Sequence, residues 1–284
     1  MKYMKNNIKL VALDMDGTLF NEQSQVSAAD QEAIREISAK GVTVVISTGR
    51  PYVGLPVDVL TDIGIRYAIT TNGASIYRLC DMECIYSNCM EPEFVCPIIR
   101  ELQKKDIHMD AFIEGKCYSQ RSCEPQIDRL DMPEPMRNYI KSTRFFPDDL
   151  AAYIIEHRLP VQKMTLNFYL LPDGTFQHRD DTLNILASHP EITYLSGGYH
   201  NLEFTRRGTT KGTGLRMLCD YLGIDIASTM ACGDTQNDMD IIKTAAIGVA
   251  MGNAIDEVKA AADYITLSNE ESGVAHAIRH YILN

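Results

Sequence analysis

The chain has 284 residues, 45% of them hydrophobic, enough to bury a large core and to divide into two domains. Acidic residues number 38 against 27 basic ones, and the formal charge of −11 argues against a nucleic-acid backbone or an anionic membrane as main partner. No apolar stretch approaches the span of a bilayer, and Met1-Lys2-Tyr3-Met4-Lys5-Asn6-Asn7 carries no signal-peptide apolar region, so a cytoplasmic location is expected; no obligatory protein partner is inferred.

In chain order, Ile8 to Leu13 is an apolar run rich in branched residues that reads as a buried parallel strand, and it ends in Asp14-Met15-Asp16-Gly17-Thr18. In an open α/β sheet, ligands bind at the carboxyl ends of the strands. Two carboxylates crowded at one such end repel each other unless a cation or a shared proton compensates, and a hard divalent ion such as Mg²⁺ answers that need. Ala29 to Lys40 then has helical spacing with Ile34 and Ile37 inward, stopped by Gly41. Val42 to Ile46 is a second buried run. It delivers Ser47-Thr48-Gly49-Arg50, where a hydroxyl beside a glycine can offer O–H and backbone N–H to a phosphate oxygen. A helix near Val53 to Asp62 and a strand near Tyr67 to Thr70 continue the alternation of a doubly wound sheet. Asn72-Gly73 reads as a tight turn toward Ser75-Ile76-Tyr77.

From Glu91 the pattern changes. A helix through Lys105, strands near His108 to Glu114 and Cys117 to Gln120, and a Pro-rich stretch around Met132 to Met136 come first. A helix near Asp148 to His157, a strand from Lys163 toward Leu171 with the turn Pro172-Asp173-Gly174, and a helix near Thr182 to Ser188 follow. A separate α+β unit is the simplest account. Strands near Ile192 to Leu195 and Asn201 to Thr205 are expected to lead back to the first domain. Lys211 opens the helical pattern of residues 211–219, where an ammonium would face the same pocket. Thr229 to Cys232 then runs into Gly233-Asp234-Thr235-Gln236-Asn237-Asp238, a third strand tip with carboxylates, and Ala246 to Ala250 closes the core.

Eight cysteines fit no paired Cys-x-x-Cys zinc spacing and read as reduced thiols, Cys232 filling a strand end. His276 and His280, four apart in a last helix, lack the following Glu of a metalloprotease and read as surface or packing residues.

Acid pair, hydroxyl, lysine and acid cluster thus occur in that order: Asp14-Met15-Asp16-Gly17-Thr18-Leu19, Ser47-Thr48-Gly49-Arg50-Pro51, Lys211-Gly212 and Gly233-Asp234-Thr235-Gln236-Asn237-Asp238. In these motifs the chain resembles the haloacid dehalogenase-like phosphohydrolases, and within them the Cof-like branch, whose large cap domain lies between the hydroxyl and lysine motifs. Thr71-Asn72-Gly73-Ala74, Val249-Ala250-Met251-Gly252-Asn253-Ala254 and Ser272-Gly273-Val274-Ala275 add to the match, which spans nearly the whole chain. The resemblance implies a Rossmann-like doubly wound parallel-sheet core over 1–83 and 194–284, and an inserted α+β cap over 84–193 that sets substrate specificity.

A phosphate monoester requires an in-line nucleophile and neutralisation of its oxygens. Asp14 is the expected nucleophile, forming an aspartyl-phosphate. Asp16 is expected to protonate the leaving oxygen and then deprotonate water, roles the resemblance also assigns. Mg²⁺ would be held by Asp14, Asp234 and, as the resemblance implies, the backbone carbonyl of Asp16, with Asp238 a further ligand or, with Asn237, a support of that shell. Thr48, Gly49 and Lys211, with Met15, Gly17 and Asn237, would bind the phosphoryl group and substrate, with Ser47 the rival hydroxyl. Local positive charge from these groups must reverse the acidic field. Arg50 and Asn72 take rim positions by resemblance; His178, Arg179 and Asp180 on the cap read as surface residues. The expected activity is hydrolysis of a small phosphorylated metabolite: sugar phosphates first, then pyridoxal phosphate or flavin mononucleotide. A phosphosugar mutase on the same core, a phospho-accepting signalling receiver and a silent ligand-binding relative are the alternatives. Singly, each residue has a plainer role as a turn cap, a solvated lysine or a helix-end charge.

Overall fold

The computed structural model describes residues 7–197 and 200–283, so the reading of a leader-free start falls, but for Asn7, outside the described residues. The chain divides into two compact units. One takes in the residues up to Arg50, Gly54–Ser87 and those from Thr210 onward; the other takes in Pro51–Val53 and Asn88–Thr209.

The first unit starts with β1 (Leu10–Leu13), α1 (Ala28–Ala39), β2 (Thr43–Ser47), α2 (Val57–Asp62), β3 (Tyr67–Thr70), β4 (Ser75–Arg78) and β5 (Glu83–Ser87). Helix α2 begins later than its apolar pattern suggests, because Pro56 disfavours helical backbone in the residue before it. The second unit holds α3 (Pro92–Leu102), β6 (His108–Ile113), β7 (Lys116–Ser119), α4 (Glu134–Thr143), β8 (Arg144–Phe145), α5 (Leu150–Glu156), β9 (Lys163–Asn167), α6 (Arg179–Ala187), β10 (Ile192–Ser196) and β11 (Leu202–Arg206). The first unit resumes with α7 (Lys211–Leu222), β12 (Thr229–Gly233), α8 (Met239–Thr244), β13 (Ile247–Ala250), α9 (Asp256–Ala261), β14 (Tyr264–Ile265) and α10 (Gly273–Ile278).

Its eight strands form one sheet in the order β14-β13-β12-β1-β2-β3-β4-β5, parallel from β14 to β3 and antiparallel at β4 and β5. Leu10 and Ala12 join Val45, Ile69 and Ala231 in a core with Leu215 and Leu218 of α7 and Ile241 of α8. The alternate residues Val11 and Leu13 are equally buried. Both faces are therefore covered, as a parallel sheet requires. Near the chain ends, α1 is tied to α10 by Asp30: this buried carboxylate accepts Ser27 Oγ and the Ala275 N–H, each at 2.7 Å. The strands run outward in both directions from the β1/β12 pair. That pair is the topological switch point, where ligands bind in such sheets.

The second unit's sheet runs β10-β11-β9-β6-β7-β8, antiparallel except for β7 beside β8. Met109, Ala111, Ile113, Met164 and Leu166 pack with Val95, Ile99, Ile154 and Leu186 of α3, α5 and α6. The alternate positions of the same strands carry His108, Asp110, Lys163 and Asn167, all buried. Arg144 pairs with Asp110 at 2.8 Å and Lys163 with Glu203 at 2.6 Å. The Pro-rich stretch is more ordered than its composition suggests: Pro133 and Pro135 start α4, which packs beside Ile127, Leu130 and Tyr169.

Two expected strand assignments are corrected. The strands over Ile192–Leu195 and Asn201–Thr205 do not lead back into the core sheet; as β10 and β11 they join the six-stranded sheet, where Phe204 lies opposite Met164 and Leu202 opposite Leu166. Likewise β5 pairs with β4, so the inserted unit runs from Asn88 to Thr209 rather than 84–193. Alternation specifies which face of a strand is inward, but not which sheet it joins.

Candidate active site

Leu13 lies level with Ile46 and Cys232, so Asp14 emerges at the switch point, its N–H bonded to the Cys232 carbonyl at 3.0 Å. Lys211, the first residue of α7, is buried and reaches Asp14 Oδ1 at 2.6 Å and Asp238 Oδ1 at 2.7 Å. The other Asp238 oxygen accepts the N–H groups of Asp234 and Thr235, each at 3.0 Å. Thr18 donates its hydroxyl to Asp234 Oδ1 at 2.8 Å. Carboxylate oxygens of Asp14, Asp234 and Asp238 all lie within 4.8 Å of one another.

Electrostatics follow from that crowding. Burial, then the neighbouring Asp238, pushes the Asp14 carboxyl well above its ordinary value despite the opposing Lys211 ammonium. Burial and Asp238 likewise push Asp234 up to about 6. Burial alone would pull Lys211 down, but Asp14 and Asp238 outweigh it and hold the ammonium above its ordinary range. Three carboxylates thus face one permanent cation. An all-oxygen donor set with excess negative charge fits a hard divalent ion. Asp16 has no oxygen in this cluster. Instead Arg50 grips its carboxylate with both arms, Nε to Oδ2 at 2.9 Å and Nη2 to Oδ1 at 2.5 Å, and Arg50 Nη1 also reaches the Gly54 carbonyl.

The hydroxyl motif closes the site on the β2 side. Thr48 is buried, accepts the Arg50 N–H on Oγ1 at 3.1 Å, and its carbonyl receives the Asn72 N–H at 3.1 Å. Asn237 Nδ2 donates to Asn72 Oδ1 at 3.3 Å, bringing Gly49, Asn72 and Asn237 side by side. Ser47 Oγ is buried with no hydrogen-bond partner among the described residues, so Thr48 is the hydroxyl wired into this loop. Met15 is buried and its carbonyl accepts the Phe20 N–H. Arg179 is engaged within its own unit, donating to the His200 carbonyl at 2.9 Å.

Sequence reasoning missed several supporting residues. Thr210 caps α7 reciprocally with Thr213 and also donates to the Asp240 carboxylate, fixing the helix end that carries Lys211. Thr18 lies within the first acidic motif, but only its contact with Asp234 gives it a role.

A family profile described as haloacid dehalogenase-like hydrolase matches residues 11–278. The chain belongs to the haloacid dehalogenase-like hydrolases. The hydrolase is 31% identical to Phosphatase YwpJ of Bacillus subtilis, with 97% of this chain and all of that one covered. It is 32% identical to 5-amino-6-(5-phospho-D-ribitylamino)uracil phosphatase YcsE of the same organism, covering 98% and 97% of the two chains. The solved structure of a haloacid dehalogenase-like hydrolase from B. subtilis superposes with a TM-score of 0.82 at 26% identity, covering 97% of this chain and 100% of that one. The hydrolase is an enzyme of the phosphatase kind. Among its described residues no helix is long and apolar enough to cross a membrane.

Proposed function

We propose that the hydrolase is a Mg²⁺-dependent phosphatase of small phosphomonoesters, sugar phosphates first among them, working through an aspartyl-phosphate on Asp14. The observation that carries this reading is the contact set of Asp14 itself: a buried carboxylate at the switch point, bonded to Lys211 and clustered with Asp234 and Asp238. Asp14, Asp234 and the Asp16 carbonyl would hold the metal. Asp238, whose oxygens are already occupied by Lys211 and two backbone N–H groups, steadies that shell. Bound Mg²⁺ supplies positive charge to a phosphoryl oxygen and relieves the repulsion among the carboxylates.

An Asp14 oxygen attacks phosphorus in line as the bond from phosphorus to the ester oxygen breaks. Asp16 delivers its proton to that departing oxygen and becomes a carboxylate. It then takes a proton from water, whose oxygen attacks phosphorus and breaks the bond to Asp14, releasing phosphate and restoring both side chains. Because Arg50 occupies both Asp16 oxygens, that ion pair opens before Asp16 transfers a proton. Thr48, Lys211 and the N–H groups of Met15, Gly17 and Gly49 carry the phosphoryl charge. We assign substrate selection to the inserted unit, residues 88–209. The name of the relative YcsE, which specifies a phosphate on a ribityl chain, supports a polyhydroxylated leaving group.

Phosphate release from sugar phosphates, pyridoxal phosphate, flavin mononucleotide and para-nitrophenyl phosphate tests this directly. Release is expected with Mg²⁺, stopped by EDTA, restored by Mg²⁺ and absent in Asp14→Asn. No release from any ester contradicts the reading, and activator-dependent isomerisation without net release would make the protein a mutase.

A further inference from the structure

Two asparagines from separate loops converge on the segment that follows Asp14. Asn253 Nδ2 donates to the Gly17 carbonyl at 2.8 Å, and Asn269 Nδ2 donates to the Phe20 carbonyl at 2.9 Å. The two are themselves linked, since the Asn269 N–H donates to Asn253 Oδ1 at 3.1 Å. The segment they hold is already folded back on its strand, Leu19 N–H to the Asp14 carbonyl and Phe20 N–H to that of Met15.

The asparagines sit far from the strand in sequence, Asn253 exposed and Asn269 half-buried, so neither is a core residue. Their position gives them leverage on Asp234. The loop bearing Asn253 donates the Met251 N–H to the Gly233 carbonyl and the Ile255 N–H to that of Asp234, each at 3.0 Å. On the opposite side, Gly17 (φ +82°) presses against the Asp234 carboxylate so closely that a Cβ there would stand 2.4 Å from Oδ2. Thr18 bonds the other oxygen. Asp234 is therefore held between the Gly17–Thr18 peptide and the Met251–Ile255 loop, and Asn253 is the side chain that ties those two together.

We infer that Asn253 and Asn269 are positioning residues of the active site, a clasp that fixes the Gly17–Phe20 loop and through it the Asp234 carboxylate that binds Mg²⁺. This rests on the metal site proposed above. A side chain bonded directly to a metal ligand, as Thr18 is to Asp234, typically governs about 10- to 100-fold in affinity, and the asparagines act one contact further out through the Gly17–Phe20 loop, which puts their effect at the low end of that range. A lone surface hydrogen bond moves stability only slightly.

Mg²⁺ titration by calorimetry without substrate, alongside metal-free Tm, separates the clasp from a merely structural role. Asn253→Ala and Asn269→Ala are expected to weaken Mg²⁺ binding about tenfold while lowering metal-free Tm by no more than a few degrees. Glu270→Ala is the control: it removes a contact to the Glu22 N–H, beyond the clasped loop, and is expected to leave Mg²⁺ affinity unchanged. Wild-type Mg²⁺ affinity in both asparagine variants overturns the clasp, as does equal weakening by Glu270→Ala. Absence of saturable Mg²⁺ binding in the wild type would instead strike the metal reading, and the clasp would fall with it.

Discussion

Gly73→Ala probes how closely α7 must approach the sheet for Lys211 to reach Asp14. Gly73 has φ +95°, and a Cβ built there would lie 1.9 Å from the Thr210 carbonyl oxygen, whereas real Cβ contacts essentially never fall under 3.0 Å. The colliding atom is backbone at the start of α7, so the helix end has to retreat by about 1 Å. Lys211 follows directly, with Nζ contacts of 2.6 and 2.7 Å to lose. A displacement of that size at a phosphoryl-binding group costs about 10²-fold in rate. Gly41→Ala is the matched control, because Gly41 also has positive φ (+86°) but nothing within 4 Å of its Cβ, so it pays only backbone strain of about 1–2 kcal/mol. Phosphate-release kinetics and urea unfolding of both variants are the assays. Gly73→Ala is expected to lose about 10²-fold in kcat/KM and more stability than Gly41→Ala. Wild-type kcat/KM in Gly73→Ala, or stability losses equal in the two, would show that this contact does not place Lys211.

Lys211→Ala leaves Asp14 and Asp238 facing each other without their shared cation, and kcat/KM should fall by about 10²–10³-fold; unchanged kinetics would remove Lys211 from the phosphoryl site. Asp30→Ala strips the acceptor from the Ser27 hydroxyl and the Ala275 N–H, and urea unfolding should register a loss of about 2–3 kcal/mol with turnover retained. A negligible loss would mean that α10 docks on α1 without that carboxylate. A pH test addresses His108, which is fully buried, accepts Asn167 Nδ2 at Nδ1 and lies 3.2 Å from Ser119 Oγ at Nε2. Burial holds its pKa below the ordinary value against the attraction of Asp110, with Arg144 adding to the depression. The unfolded chain therefore takes up the proton first, so this contribution is complete above about pH 6.5 and is lost as pH falls, by at most about 1.4 kcal/mol per unit. Between pH 7 and 5.5 the unfolding free energy of the wild type should decline more steeply than that of His108→Gln. Parallel pH profiles would contradict the buried neutral imidazole.

The strand tips were legible because each is a short buried run followed at once by polar residues, a pattern carried by nearest neighbours in the chain. Asp14, Thr48 and Asp234 could be found that way, and Lys211 by its place at the start of a helical repeat. What escaped depends on contacts between distant segments. Nothing around Asp240 marks it as a partner of Thr210, and nothing around Asn253 or Asn269 points to the Gly17 and Phe20 carbonyls. The rim position expected for Arg50 does not reveal its partner: the guanidinium turns to Asp16, a choice that depends on how β1 and β2 align. That β10 and β11 join the second sheet escapes the sequence for the same reason: β11 pairs with β9, which lies well back in the chain, beyond α6.

Trapping the covalent intermediate tests the central claim most directly. Wild-type enzyme mixed with a turned-over phosphomonoester and Mg²⁺, quenched in acid within a turnover and analysed by peptide mass spectrometry, should carry a base-labile phosphoryl group on the peptide containing Asp14, absent in Asp14→Asn. Continued turnover by a correctly folded Asp14→Asn, or a phosphoryl group on any other residue, would contradict the account.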